Sequence, residues 1–381
     1  MTTKTFLLAV DIELTAPMSI QSIESGVYDP KTRKILRYNA PAGSGIGCSL
    51  TRTMTLPGVR PVDAESDKGN GPVTVPIIPA STVAGKLRRA AADLIGQAFV
   101  ERELKITPRT FNMMMTGAAS TALDVNSASP EVHMAARTDP FMSMFGGTIF
   151  ALPASTIIGQ GWPLLERTKG KFMSPPISAV DKYTHLGEMT EAYAIVKKND
   201  VMDMRSPLLP GLVTLEALCA HAAEEGAERA GAKAKKDAGE AGKKTDLRAL
   251  NAMEVVLPEI KFGIRVRVDS RNPSHLGLLV LALQRYLHSG CVGGRTARGM
   301  GTFVAPDMAR IYSIDPYTQS VSHVEELFQG RESNYALCRT EVLDEAIKHA
   351  HHYLNVGAKP ELFEAFAEGD YESIKGMYRH G

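Results

Sequence analysis

The segment GGRTARGMG at 293–301 carries the strongest chemical signal in the sequence. Gly293, Gly294, Gly299 and Gly301 have no Cβ, so backbone N–H groups there can approach a phosphate closely. Arg295 and Arg298, with Thr296 between them, add planar charged donors and a hydroxyl. The segment lacks the Gly-Lys-Ser/Thr of a P-loop and precedes a strand rather than a helix, which argues against nucleotide hydrolysis. Its ordinary alternative is a flexible turn.

A second cluster lies at Ser81–Arg89. Hydroxyls at a helix start, Ser81 and Thr82, sit where free N–H groups and the helix dipole attract anions. Lys86, Arg88 and Arg89 add charge within two turns; the ordinary alternative is a solvated basic face. A third cluster is the strand pattern at 260–268. There Ile260, Phe262, Ile264, Val266 and Val268 alternate with Lys261, Gly263, Arg265 and Arg267, giving one apolar and one basic face. Three basic clusters on one small core predict a groove for a polyanion.

Other candidates are weaker. His349, His351 and His352 share a predicted helix with Glu345, but no HExxH or Cys/His spacing accompanies them, so no metal or cofactor is expected. His133 and His185 fall in polar insertions. Asp11, Glu13, Asp29, Asp139, Asp181 and Asp203 form no recognisable catalytic pair. Asp29, in a loop near the start, is the one candidate catalytic aspartate. The methionine runs at 113–115 and 142–144 read as plastic core or contact surface.

Elements must position these residues. Thr5–Leu14 reads as a first strand, and 18–75 as long loops with one hairpin. An amphipathic helix follows an N-cap at Ser81 or Thr82, with Val83, Leu87, Ala90, Ala91, Leu94 and Ile95 at helical spacing. Residues 148–158 suggest a strand broken by Pro153. Residues 163–210 are polar and basic, including Lys197 and Lys198, and suggest a projecting hairpin. Residues 221–245 are rich in Ala, Gly, Lys and Glu and read as an insertion. The 260–268 strand precedes a helix capped at Pro273-Ser274 and ended by Gly290. After the glycine loop comes the strand Thr302–Ala305, and the tail beyond Asp307 looks helical. This order predicts an α+β core, RRM-like or ferredoxin-like, built from two βαβ halves.

Composition bounds the function. The chain has 381 residues, 44% of them hydrophobic, which excludes wholesale disorder. A formal net charge of +1 excludes a globally basic binder, though not a local groove. Cys48, Cys219, Cys291 and Cys338 are widely spaced and form no CxxC, which fits a reducing cytoplasm. The apolar run Phe6–Val10 is too short for a signal segment, and no membrane span is expected.

Taken in order, AVDIELTAPMSI (9–20), IIPASTVAGKLRRAA (77–91), MSMFGG (142–147) and GGRTARGMG (293–301) resemble the RAMP superfamily of CRISPR effector proteins. In that family a Pro-Gly-Ser-Ser-Leu-Lys-Gly-x-Leu-Arg segment begins the first helix. A Phe-Gly motif follows, and a glycine-rich loop precedes the last strand. Pro79, Ser81, Gly85, Leu87 and Arg88 match that pattern. Thr82 stands in place of the second serine and Ala84 in place of the lysine, with Lys86 two residues on. The length, TRTMTLPG (51–58) and the Ala/Lys-rich insertion look most like the backbone subunit of type IV complexes.

The resemblance implies a right-hand shape. An RRM-like palm would comprise 1–20, 72–98, 148–162 and 255–306, with fingers and loops at 21–71 and 99–147. A projecting thumb hairpin would occupy 163–210, with Met204 and Arg205 near its wedge. Residues 211–254 would be an insertion and 307–381 a helical extension. It further implies a crRNA-binding, non-catalytic subunit that stacks head to tail as a homo-oligomeric filament. Its partners would be a complementary target nucleic acid and other CRISPR effector subunits, in a prokaryotic cytoplasm. The alternative it leaves open is a RAMP endoribonuclease using Asp29 or His185.

Overall fold

A computed structural model describes residues 4–29, 34–36, 46–56, 73–117, 130–147, 154–165, 189–197, 249–270, 272–305, 309–315, 317–329, 335–370 and 372–373. The chain divides into two compact units, one of 1–23, 51–191 and 255–381, the other of 24–50 and 192–254.

Along the chain, β1 (Lys4–Leu14) is followed by β2 (Gln21–Asp29), β3 (Lys34–Leu36), β4 (Ile46–Thr51) and β5 (Thr53–Leu56). Then β6 (Val73–Pro76) leads into α1 (Ala80–Glu101), α2 (Pro108–Thr116), α3 (Pro130–Thr138) and α4 (Pro140–Phe145). Strands β7 (Thr156–Ile158), β8 (Trp162–Pro163), β9 (Thr190–Lys197), β10 (Ala249–Val256) and β11 (Lys261–Ser270) come next. The chain continues through α5 (Pro273–Ser289), β12 (Phe303–Val304), β13 (Arg310–Ile314), β14 (Val321–Glu326), α6 (Glu341–His352) and α7 (Pro360–Glu368).

The first unit is built on a sheet of order β14-β13-β1-β11-β7, with β12 pairing the end of β1 and β8 the start of β11. β1 and β11 run antiparallel in continuous register from Lys4↔Ser270 to Glu13↔Lys261. Read as β1–α1–β7–β11–α5–β12, this is the ferredoxin-like order, an α+β fold in which the two longest strands are central. β1 sits in the middle because both its faces are largely buried: Phe6, Leu8, Val10, Ile12 and Leu14 on one, Thr5, Ala9 and Asp11 on the other.

α5 begins at Asn272, whose side chain accepts from Ser274 N–H, and stops at Gly290 in the left-handed region. Leu276, Leu278, Leu279, Val280, Leu281 and Leu283 are buried around its circumference in its first three turns, while Arg285 and His288 are exposed farther on. It packs against α1 and α6. Gly277 permits the α5–α6 approach, since a Cβ there would lie 2.0 Å from the Ala346 carbonyl oxygen.

A buried polar network ties α4 to α5 and to the segment after α6. Asp139 caps α4, accepting from Met142 N–H at 2.8 Å, and also accepts from the Tyr353 hydroxyl at 2.9 Å. Ser143 donates to the Asp139 carbonyl and lies 2.9 Å from His275 Nε2. Burial pushes the Asp139 carboxyl up to about 6, against the pull of those hydrogen bonds.

The second unit contains most of a sheet of order β3-β2-β4-β10-β9, in which β4 and β10 run parallel through Ala252↔Cys48 and Met253↔Ser49.

Several expectations change. α1 starts at Ala80 with Pro79 at the N-cap position, so neither Ser81 nor Thr82 caps it. Proline at the cap fixes φ, −56° here, and the hydroxyls lie inside the first turn. Within the stretch read as loops with one hairpin, β2 and β3 pair antiparallel and β4 adds a further strand, and the segment from 249 contributes β10 to the same sheet. β9 lies beside β10, and most of the hairpin expected at 163–210 falls outside the described residues. The segment beyond 307 is not wholly helical: β13 and β14 extend the first sheet before α6 begins.

Candidate nucleic-acid interface

The glycine loop is stitched to the segment that leaves β1. Gly294 N–H donates to the Ser19 carbonyl at 2.8 Å and Gly301 N–H to the Pro17 carbonyl at 2.9 Å. Val292 N–H closes the loop on the Gly301 carbonyl, and Thr296–Arg298 forms a single 3₁₀ turn at its tip. Gly293 and Gly301 are in the left-handed region, and a Cβ would stand 2.7 Å from the Ser19 oxygen at the first and 1.8 Å from the Val292 oxygen at the second. These glycines serve the loop's shape. The expectation that their N–H groups are left for a phosphate is corrected at Gly294, Gly299 and Gly301, whose N–H groups already bond within the chain.

That stitching brings two of the three clusters together. Ser19, Ile20, Gln21, Thr82, Gly293, Gly294 and Arg295 line one cavity of about 410 Å³. The floor is loop backbone, Thr82 enters from the first turn of α1, and Arg295 supplies a cation. α1 has no acidic residue in its first turn and no side-chain cap, so its positive end is uncompensated there. Ser81 and Arg89 are exposed and Lys86 is half-buried. Positions 82, 86 and 89 follow the i, i+4, i+7 spacing of one helix face, which places Lys86 and Arg89 in line with the Thr82 wall. Arg298 and Gly299 are exposed at the tip, and Thr296 is half-buried.

The remaining predicted residues are elsewhere. Arg88 is 7% exposed and points inward. Its Nη2 donates to the carbonyls of Phe145, at 2.9 Å, and Gly146. Its guanidinium lies over the rings of Phe141 and Phe145, 5.6 and 5.7 Å from their centroids. Burial pulls it down to about 10. The Cα of Gly117, which ends α2, sits against the same group, since a Cβ there would be 2.8 Å from Arg88 Cζ. Arg88 therefore clamps the ends of α2 and α4, joining the helix-start motif to the Phe-Gly motif. The reason is positional: it is one residue beyond Leu87 on the buried side of α1.

Arg265 is likewise corrected. It is 8% exposed, and its Nη1 bonds Asp11 at 2.8 Å, so the middle of that strand face is a buried ion pair. Arg267 is partly exposed and engages Asp269 at 3.4 Å, and Lys261 lies 3.9 Å from Glu13. The supposed basic face is thus largely neutralised by carboxylates of β1 and β11, and the third cluster drops out. Lys197 ends β9, while Lys198, Met204, Arg205 and His185 lie outside the described residues. Asp29 ends β2, opposite Lys34.

Sequence reasoning missed Ser19 and Gln21. Ser19 lies within the 9–20 segment and Gln21 just after it, but neither reads as a site residue from the sequence, and both enter the site only because β1 ends beside the loop. Among the described residues no group of three or more His, Cys, Asp or Glu is placed to hold a metal ion, and no helix is long and apolar enough to cross a membrane.

The RAMP superfamily family model matches residues 65–304, well over half of the chain and inclusive of α1, the Phe-Gly turn and the glycine loop. Among solved structures, a chain of a type IV-B CRISPR complex aligns over 80% of this chain and 90% of its own length, at 13% identity and a TM-score of 0.39. No curated protein matches. On the family match over residues 65–304, this chain belongs to the RAMP superfamily.

Proposed function

We propose that the chain is a guide-RNA (crRNA) backbone subunit of a type IV CRISPR complex. It stacks head to tail along the guide and presents it for pairing with a complementary target. The observation that carries this reading is the cavity in which Thr82, Gly293, Gly294 and Arg295 converge on the chain leaving β1. A cation, a hydroxyl and an uncompensated helix start converging on one cavity suit a phosphodiester, the part of a guide that a sequence-independent holder grips. Lys86, Arg89 and Arg298 extend the same positive track along α1 and the loop tip. In this reading the subunit works in the prokaryotic cytoplasm beside other effector subunits and cuts nothing.

The test is co-expression with a guide, followed by absorbance and a denaturing gel of the purified protein. RNA of defined length should come with it in large particles, and high salt should dissociate them as counterions return to the phosphates. A nucleic-acid-free monomer at low salt would overturn the reading. Labelled complementary RNA should remain whole with or without magnesium. Regularly spaced fragments that vanish in Asp29→Ala would overturn the non-catalytic part.

A further inference from the structure

The first unit exposes an aromatic knob and an apolar groove. The hairpin joining β13 to β14 carries Tyr317 at its tip, 90% exposed. The tip is held stiff by its own hydrogen bonds. The Asp315 carboxylate accepts from Tyr317 N–H at 2.9 Å and Thr318 N–H at 2.7 Å, and Thr318 Oγ1 lies 2.9 Å from Ser320 Oγ. Asp315 N–H and Gln319 N–H close the turn through backbone bonds to Ser320 and Asp315. Those donors hold the Asp315 carboxyl below the usual carboxylate range, so the tip is an aromatic ring beside a fixed negative charge. An exposed ring on a preordered turn loses little entropy when it docks.

The other feature is an apolar groove of about 670 Å³ along the second half of α1. Phe99 forms its floor, Leu104 and Ile106 one side, and Val100 and Phe111 stand out as walls, 75% and 47% exposed. At its rim Asp93 is engaged by Arg285 at 3.7 Å, whereas Lys105 is exposed and makes no ion pair among the described residues.

We infer that Tyr317 of one copy seats between Val100 and Phe111 of the next, with Asp315 against Lys105. The ring supplies the buried aromatic anchor typical of interface hot spots, and the charges fix its direction. Engaged one way, knob of one copy into groove of the next, the contact is heterologous and adds copies in one direction, as stacking along a guide requires. Nucleic acid is the poorer occupant for the knob, because the Asp315 carboxylate at its tip repels phosphates, while Glu326 farther along the hairpin is already paired by Arg310 at 3.1 Å. The inference rests on the stacked-subunit reading above and supplies its protein–protein contact.

Two single variants, Tyr317→Cys and Val100→Cys, each carrying Cys219→Ser and Cys291→Ser so that only the new thiol reacts, test it; both positions are exposed enough to leave the fold intact. The preparations are mixed, assembled on guide RNA and treated with a short bismaleimide. A covalent dimer should form in the mixture and in neither variant alone. Tyr317→Ser should weaken copy-to-copy association about tenfold or more while binding of a single copy to a short RNA is unchanged. Parent-sized particles with no mixed cross-link would overturn the docking and leave stacking intact. If the parent forms no RNA particle, stacking falls, and the same cross-link in concentrated RNA-free protein decides the docking, its absence overturning it. Photo-cross-linking of Tyr317 to RNA would also overturn it, making the tip a base platform.

Discussion

Replacing Arg88 with alanine separates a fold clamp from an RNA contact. The variant loses charge-assisted bonds to two carbonyls, about 1.5–3 kcal/mol each, and two ring contacts of about 0.5–1 kcal/mol each. Against this, the buried charge itself costs about 3 kcal/mol, from the guanidinium's fall to about 10 at about 1.36 kcal/mol per pKa unit. The net expected loss is about 2–4 kcal/mol, because the Phe145 and Gly146 carbonyls are also left without their donor. Urea unfolding followed by circular dichroism should show the midpoint falling, with melting several degrees earlier. Arg88→Lys should recover only part, since an ammonium cannot lie flat between two rings as a guanidinium does. RNA affinity per folded molecule should stay near the parent's. An Arg88→Ala protein that melts like the parent but binds RNA far more weakly would refute the clamp and restore Arg88 to the RNA groove.

Arg295→Ala and Arg298→Ala should do the opposite, leaving melting unchanged and each weakening RNA binding by about 1–3 kcal/mol, read by filter binding, with a shallower salt dependence. Gly277→Ala should destabilise by about 2 kcal/mol or more despite alanine's better helix propensity, because its Cβ meets the α6 backbone; chemical denaturation measures this. Asp139 is raised in the folded state, so the stability it contributes is full below about pH 4 and lost as pH rises through about 6. Unfolding free energies from pH 4 to 8 should therefore show a fall of up to about 3 kcal/mol in the parent that Asp139→Asn lacks.

The first sheet and its helices were legible because they declare themselves locally. β1 was expected at Thr5–Leu14 and is Lys4–Leu14, and the 260–268 alternation is β11 at Lys261–Ser270. Gly290 ends α5 as expected, while its cap is Asn272, one residue before the Pro273-Ser274 pair that the pattern suggested. What failed was non-local. Alternation in 260–268 shows cations on one side of a strand, but not that Asp11, 254 residues away, lies diagonally across to neutralise Arg265. Helical periodicity places Arg88 near the flank of α1, and only the convergence of Phe141, Phe145 and Gly117 shows it to be covered. β10 (ALNAMEVV) has the composition of a helix and becomes a strand by pairing with β4. β13, five residues long, takes its identity from β1 beside it.

The pairing of Thr5 with Asp269, 264 residues apart, has a consequence for synthesis of the chain. At about 5–20 residues per second, β1 leaves the ribosome about 13–50 s before β11 exists to pair with it. During that interval KTFLLAVDIEL is an apolar strand with both edges open, the kind of segment that pairs with the wrong chain. α1 emerges early enough to cover its Phe6–Leu14 face but supplies no strand edge. Nascent chains crowded on one messenger therefore hold matching sticky edges at the same time, and slowing translation between residues 100 and 260 should raise insoluble yield where speeding it lowers it.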